Sequence, residues 1–396
     1  MTQTSTFTRD RLTWLAYAML AYVGLMQALL GPILPSLRQT LRLDYTQSSL
    51  ISSASAIGMI AMGALTATIA RHLGRATMLW GGAVGISASI IMLTLAGSYP
   101  LLLASLFLLG AVGSISQTMV QAILSDHHGE QRAISLSEAN VGASLFSLIP
   151  PLLLGSMARL GLPWQMIAWL YVVALALLAL VFWGQKVPNR AAPAEGADFG
   201  QHASGRLPAA FWGHAVVLLF IVSSEMSLFL WSASFLIEKY KMDPGFAVMA
   251  FGLYPFSQVL ARLAGSRLTM RFSASALQTA SFLLAIAGMP LLWLGGNPVV
   301  GLAGLFVTGV GVANLFPLTM SAAVGASGHL SDLASARISM IVGVALFSSP
   351  FALGWLADRV GLESAYGLIL GLLCAGLLIK LVVAWQTRLA NLAATQ

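Results

Sequence analysis

The chain has 396 residues, of which 58% are hydrophobic and 8% are charged. A soluble domain carries about 25% charged residues, so this composition excludes an ordinary water-soluble enzyme and a disordered chain. The formal net charge of +7 comes from basic residues scattered between apolar runs. A nucleic-acid-binding face needs a clustered basic stripe, so we expect no nucleic-acid partner and interpret the charge as a marker of membrane orientation.

Twelve apolar runs, bounded by glycine, proline or charged residues, follow one another along the chain. Each is long enough to cross a bilayer as a helix, which takes about 20 residues. None shows the alternation of apolar and polar residues that marks a membrane β-barrel. We therefore predict an all-α membrane protein with twelve transmembrane helices. The runs lie near residues 12–36, 46–70, 76–97, 99–124, 132–159, 163–184, 211–237, 245–271, 274–295, 298–325, 333–358 and 362–386.

One long polar stretch, residues 184–208, separates the sixth run from the seventh and reads as a linker. We predict an N-terminal six-helix bundle over residues 1–185, a cytoplasmic linker over 186–208 and a C-terminal six-helix bundle over 209–396. With the N-terminus in the cytoplasm, most of the 20 Lys and Arg residues fall on the cytoplasmic side. The positive-inside rule then places both termini in the cytoplasm. The expected location is the plasma membrane, which is the inner membrane if the source is a Gram-negative bacterium.

The two predicted bundles share short landmarks at an offset of about 200 residues. In the fifth run the sequence reads Gly142-Ala-Ser-Leu-Phe-Ser147, and in the eleventh it reads Gly343-Val-Ala-Leu-Phe-Ser348. The turn at residues 97–100 likewise matches the turn at 295–298. Because these matches fall at corresponding places in the two bundles, they predict an ancestral duplication and two pseudo-symmetric halves.

Six plus six helices with a central linker resemble the Major Facilitator Superfamily. The loop after the second run, Arg71-His-Leu-Gly74-Arg75, keeps the Gly-Arg pair of that family's loop motif but lacks its leading Gly and its Asp. The eleventh run ends in a better match, Gly354-Trp-Leu-Ala-Asp358-Arg-Val-Gly361. The pair Glu225 and Trp231 in the seventh run, with Arg262 in the eighth, is similar to the fucose-permease-like sugar branch. The resemblance implies the family's fold and transport by alternating access.

Motifs of the common membrane-associated enzymes and motors are missing from the sequence. None of the four lysines follows a glycine, so there is no Walker A loop, and neither His-Glu-x-x-His nor Gly-x-Ser-x-Gly occurs. We therefore expect a protein that is not an enzyme and that needs no cofactor or metal. Transport driven by an existing gradient is the simplest remaining function.

Glu225 is the most informative single residue of the sequence. It falls near the middle of the seventh run, where an ionised carboxylate costs at least about 2.5–3.5 kcal/mol on insertion scales. Such a group is expected to face the protein interior, where it can carry a coupling proton or accept hydrogen bonds from a hydroxylated solute. A structural carboxyl bonded to Ser223, Ser224 or polar groups of the eighth run is the alternative.

Other polar residues inside the runs form two further predicted groups. The family's first, fourth, seventh and tenth helices line its cavity, so the resemblance implies a solute-binding role for uncharged side chains there. Tyr254 and Gln258 of the eighth run are also deep enough to contribute. The predicted cavity residues are Gln27, Gln117, Gln121, Trp231, Tyr254, Gln258 and Asn314. Interhelical hydrogen bonding is the alternative role for each of them.

Three charged residues near the cytoplasmic ends of runs are candidate gating charges, namely Glu138, Arg262 and Arg337. Glu138 and Arg337 hold pseudo-symmetric positions, which allow a cytoplasmic gate whose salt bridge forms and breaks as the halves rock. Side chains that extend to water at the membrane surface are the favoured alternative. Arg71, Gly74 and Arg75 are the predicted loop-motif residues.

The sequence as a whole favours a monomeric secondary active transporter in the lipid bilayer. It is expected to move a small organic solute, sugar-like or otherwise polar, with protons as the coupling ion. A drug or metabolite efflux antiporter of the same fold is the first alternative. A membrane-embedded enzyme is an alternative of another class, and it would need a cluster of His or Asp residues at a membrane face.

Overall fold

A computed structural model describes residues 7–188 and 206–394. Within these ranges the chain forms α-helices, three short 3₁₀ helices and no strands. The α-helices are α1 (Arg11–Gln27), α2 (Leu30–Leu41), α3 (Tyr45–Leu73), α4 (Arg75–Thr94), α5 (Tyr99–His128), α6 (Arg132–Phe146), α7 (Ile149–Arg159), α8 (Ile167–Val181), α9 (Ala209–Tyr240), α10 (Pro244–Phe251), α11 (Leu253–Leu268), α12 (Ala274–Leu294), α13 (Pro298–Val312), α14 (Leu315–Ala326), α15 (Ser331–Val360), α16 (Leu362–Ala365) and α17 (Gly367–Ala394). The 3₁₀ helices are Gly129–Gln131, Trp164–Met166 and Gly328–Leu330.

The prediction of an all-α membrane protein with twelve spans is confirmed. Eleven segments of the described chain are long and apolar enough to cross a membrane. The 29-residue α3 occupies the position of the second predicted run and completes the series of twelve.

The chain divides into two compact units. The N-terminal unit contains Met1–Arg42 and Ala54–Ala197, and the C-terminal unit contains Leu43–Ser53 and Asp198–Gln396. The start of α3 therefore groups with the second half of the sequence. Most of the predicted linker, residues 189–205, lies outside the described residues, and the predicted domain boundaries stay a prediction.

Four predicted spans are split in the middle, each shortly before a proline. The splits fall between α1 and α2, α6 and α7, α10 and α11, and α13 and α14. Proline has no N–H to donate to the carbonyl four residues earlier, and its ring clashes with that carbonyl, so a helix is commonly kinked or broken there. The prolines concerned are Pro32, Pro150, Pro151, Pro255 and Pro317.

Inside the N-terminal unit, buried tyrosines join α1 to α4 and α8. The Tyr22 hydroxyl lies 2.6 Å from Ser87 Oγ. Tyr171 of α8 donates to the Leu25 carbonyl at 2.7 Å. The second bond matters because α1 ends two residues after Leu25, so this carbonyl loses its helical environment and receives a side-chain donor instead.

In the C-terminal unit, α12 and α13 form a tight helical hairpin. A Cβ on Gly304 would lie 2.2 Å from the Leu292 nitrogen, and one on Gly311 would lie 2.3 Å from the Ala285 nitrogen. The two backbones thus approach so closely that only glycine fits on the α13 side. Small residues are the usual means of close helix approach in membranes, where packing replaces the hydrophobic driving force.

We predict that Gly304→Ala destabilises the C-terminal unit. The added methyl group has to push apart two backbones, which costs about 1–3 kcal/mol of unfolding free energy. The control is Gly371→Ala on α17, where no heavy atom lies within 4 Å of the place that a Cβ would take. Thermal unfolding of the detergent-purified proteins measures both effects. Equal melting temperatures for the two variants would contradict the close approach of α12 and α13.

Candidate functional site

Glu225 lies at the midpoint of α9 and is held by two residues of α11. Its Oε1 accepts a hydrogen bond from Gln258 Nε2 at 2.9 Å and lies 3.8 Å from Arg262 Nη2. The Glu225 side chain is 16% exposed and that of Arg262 is 47% exposed. An isolated charge in a membrane span is costly, so the amide and the guanidinium are what allow a carboxylate at this depth.

The break between α13 and α14 brings Asn314 into the same network. Pro317 cannot donate to the carbonyl of Ala313, and Arg262 Nε approaches that oxygen at 3.4 Å. The Asn314 side-chain amide donates to a main-chain carbonyl of α11 at 2.9 Å. Gly265 leaves the space for it, since a Cβ there would lie 2.6 Å from Asn314 Oδ1. Arg262 therefore links the carboxylate on α9 to the broken span formed by α13 and α14.

Two large aromatic side chains are buried near Glu225. Tyr254 is fully buried, interacts electrostatically with Glu225 and Arg262, and its hydroxyl has no hydrogen-bonding partner within residues 7–188 and 206–394. Trp231 is also fully buried, and its ring centroid lies 5.6 Å from that of Tyr45. Of the predicted residues of this unit, Glu225, Tyr254, Gln258, Arg262 and Asn314 come together, whereas Trp231 packs towards the start of α3.

The predicted glutamines of the N-terminal unit form a second polar group. Gln27, at the end of α1, donates to Gln117 Oε1 of α5 at 3.0 Å. Gln27 and Gln121 are exposed, and Gln117 is half-buried. Gln27 lies close to the middle of the span Arg11–Leu41, where an exposed amide is favourable only next to water. The arrangement therefore favours an aqueous surface over a lipid-facing one for this part of α1.

Glu138 has partners within its own unit. It accepts hydrogen bonds from Arg9 Nη2 at 2.6 Å and Nε at 2.9 Å, and from the Tyr17 hydroxyl at 3.0 Å. Arg337 is exposed on α15 and contacts Met340 Sδ at 3.7 Å. The two-point contact with Arg9 was not anticipated, because Arg9 is 129 residues away in sequence and no periodic pattern links the two positions.

The predicted loop motif forms a tight connection between α3 and α4. Gly74 has φ +80°, a conformation that side chains with a Cβ rarely adopt. Arg75 follows it and forms a salt bridge with Asp126 of α5 at 2.6 Å. The side chain of Arg71 lies outside the described residues.

A polar cluster at the start of α3 was not predicted from the sequence. Asp358, at the end of α15, accepts hydrogen bonds from the Tyr45 and Thr46 main-chain nitrogens at 2.9 and 2.8 Å and from the Thr46 hydroxyl at 2.5 Å. The Tyr45 hydroxyl donates to Glu238 of α9. The carboxylate of Asp358 thereby satisfies donors that the first turn of any helix leaves unpaired. The motif Gly354–Gly361 marked Asp358 as a notable residue, but the sequence did not indicate that it contacts the start of α3.

Comparison with known proteins agrees with this architecture. The model of the Major Facilitator Superfamily matches residues 16–345. A multidrug resistance protein, MdtL of Escherichia coli O157:H7, is 26% identical over 381 residues and covers 93% of each chain. Among solved structures, a bacterial homologue of the human lysosomal transporter Spinster has a TM-score of 0.75 at 14% identity, covering 96% of this chain and 97% of that one. The E. coli fucose:proton symporter FucP has a TM-score of 0.63 at 16% identity, covering 94% and 98%.

An all-helical, multi-pass chain with polar networks inside its spans has the architecture of a membrane transporter. The chain belongs to the Major Facilitator Superfamily, since the family model matches most of its length. The predicted family is thereby confirmed, and the likeness to FucP shows the shared fold. Family and fold are those of transporters of small-molecule solutes.

We predict that Asp358→Asn weakens the attachment of α3. The substitution removes the charge and leaves one acceptor oxygen for three donors, which lowers the free energy of unfolding by about 1–3 kcal/mol. The control is Asp243→Asn, where the side chain caps α10 by accepting from Phe246 N at 2.9 Å and asparagine caps a helix equally well. Thermal unfolding of both variants checks the prediction, which fails if Asp243→Asn is the more damaging change.

Proposed function

We propose that the chain is a secondary active transporter that moves a small organic solute by alternating access and couples this movement to protons through Glu225. The contact of Glu225 with Gln258 and Arg262 carries the proposal. It presents a titratable group at the middle of a span, between a neutral donor and a positive charge. When the carboxylate is ionised, these two groups donate to it or attract it; when it is protonated, the Gln258 amide can turn its oxygen towards the new O–H, so the proton exchanges with modest rearrangement.

Water access supports the coupling role. Arg262 is nearly half exposed and lies six residues before the end of α11. A guanidinium in a span is costly next to lipid, so this exposure favours a hydrated path to Glu225 from that end of the helix. With both termini in the cytoplasm, as predicted from the basic residues, this is the cytoplasmic end. Glu225 would then exchange its proton with the cytoplasm in this conformation.

The polar side chains inside each unit favour a solute that forms hydrogen bonds. In the C-terminal unit Tyr254 offers a buried hydroxyl and Asn314 an amide, and in the N-terminal unit Gln27 and Gln117 offer amides. In a site of low polarity each such group discriminates strongly, because a solute that leaves it unpaired pays the desolvation cost. These groups favour a polar solute, such as a sugar or a nucleoside, over an apolar one.

Export of a drug-like solute is the second candidate. It is favoured by the full-length relation to proteins named for multidrug resistance, at 25–26% identity. An antiporter would use the same Glu225, with proton entry driving solute exit. The direction of net movement separates this candidate from uptake.

A gating role for Glu138 and Arg337 stays a prediction. The contact of Glu138 with Arg9 gives it a defined competitor. If Glu138 exchanges Arg9 for Arg337 during transport, the double charge swap Glu138→Arg with Arg337→Glu restores activity that each single change abolishes, and the swap with Arg9 does not.

We predict that Glu225→Gln abolishes accumulation driven by a pH gradient and preserves solute exchange. Glutamine resembles the protonated carboxyl, so the carrier can still alternate with solute bound but cannot release a proton. A thermal-shift screen against sugars, nucleosides, amino acids and cationic drugs supplies the solute. Transport of the hit into and out of liposomes is then measured with and without a pH gradient, together with internal pH.

The control is Glu130→Gln, which removes an exposed carboxyl from a 3₁₀ helix outside the polar network. It should keep both activities. Gradient-driven accumulation by Glu225→Gln at the wild-type rate would refute the proton role, and the sign of accumulation in the wild type decides between uptake and export.

A further inference from the structure

A cavity of about 380 Å³ lies where α17 passes the beginning of α12. It shares no lining residue with the network around Glu225. Its polar lining comes from the first turns of α12 and from one charged residue of α17. The lining includes Ser273, Ser275, Thr279, Lys380 and Trp385.

Lys380 is the charged residue of this cavity and is 5% exposed. Its ammonium group donates to the Ser275 carbonyl at 3.1 Å and to the Thr279 hydroxyl, both of which belong to residues of the cavity wall. These contacts fix the ammonium group at the cavity wall. A lysine inside an apolar helix is costly, and such residues commonly mark a binding site.

The start of α12 adds a second source of positive potential. Ser273 caps the helix by accepting from the Ala276 nitrogen at 3.2 Å. Other N–H groups of the first turn have no acceptor within the helix, and the helix dipole places partial positive charge at this end. Together, the Lys380 ammonium group and the N-terminus of α12 make the cavity complementary to an anion such as a phosphate group.

The surface beside the cavity is apolar. Leu378, Val382 and Trp385 recur at positions i, i+4 and i+7 of α17 and are 63%, 51% and 61% exposed. This spacing places them on one helix face. The face suits hydrocarbon chains, and tryptophan is typical of the level where headgroups begin. A free phosphate would use only the polar part of the site.

We propose that this cavity binds the headgroup phosphate of an anionic phospholipid, whose acyl chains lie along the exposed face of α17. Lys380 contributes the charge, the first turn of α12 contributes N–H donors, and Trp385 lies at the boundary between headgroup and chains. Basic pockets between spanning helices are known places of anionic lipid recognition.

The test uses the detergent-purified full chain and measures its thermal stability during titration with phosphatidylglycerol, phosphatidylcholine or inorganic phosphate. Phosphatidylglycerol should stabilise the wild type at lower concentration than phosphatidylcholine does, and inorganic phosphate should have little effect. Lys380→Gln should need about tenfold or more phosphatidylglycerol for the same stabilisation, since it loses a charge-assisted contact. Lys186→Gln removes the same charge from an exposed residue and should behave as the wild type.

A second variant keeps the proposal testable if Lys380→Gln does not fold. Ala384→Phe fills the cavity, of which Ala384 is a lining residue, and leaves Lys380 in place. It should abolish the preference for phosphatidylglycerol over phosphatidylcholine. Equal responses to the two lipids in the wild type, an unchanged preference in Ala384→Phe, or full stabilisation by inorganic phosphate alone would each overturn the proposal.

Discussion

Every main-chain donor and acceptor in a membrane span has to find a partner inside the protein, because lipid offers none. At the prolines that split four spans, main-chain carbonyls lose their helical donors. Side chains supply hydrogen-bond donors there instead. Tyr171 donates to a carbonyl near the end of α1, and Arg262 to the carbonyl that Pro317 leaves without its helical donor. The polar networks of both units thus grow from places where the helices are interrupted.

Because this network lies at a break in a helix, Arg262 has two roles. Its Nε holds the main chain between α13 and α14, while its Nη2 lies near the Glu225 carboxylate. Protonation of Glu225 removes the attraction on one side of the guanidinium and leaves the other side in place. On the proposed function, the proton and the broken span are therefore joined through a single side chain, so a change of charge on α9 alters the contact that Arg262 makes at the break between α13 and α14. Lysine could not replace arginine here, because its single ammonium lacks the spread of donors.

The sequence was sufficient for the fold and singled out Glu225 as a candidate, but it was insufficient for pairs of residues. Hydropathy located the spans, and the cost of a buried charge identified Glu225 without knowledge of its neighbours. Arg262 was predicted as a gating charge near a helix end, and its position beside Glu225 depends on how α9 and α11 pack. Glu138 finds Arg9 and Asp358 finds the start of α3 across 129 and 313 residues. Such contacts depend on tertiary packing, and the periodicity of hydrophobic residues does not predict which helices pack together.

The attachment of α3 differs in kind from the packing of α12 on α13. In that hairpin, glycines of α13 let the two backbones touch. Separating α12 from α13 would leave a gap that no other side chain can fill. Asp358 holds the first turn of α3 through hydrogen bonds at exposed atoms. Water can replace each of these bonds, so a net loss of only about 0.5–1.5 kcal/mol accompanies the exchange of a typical one, and up to about 3 where a charge is involved. On the proposed function, alternating access requires contacts that break and re-form on each cycle. Carboxylate bonds to a helix start would meet that requirement, whereas glycine-mediated helix contacts would supply the rigid parts that move.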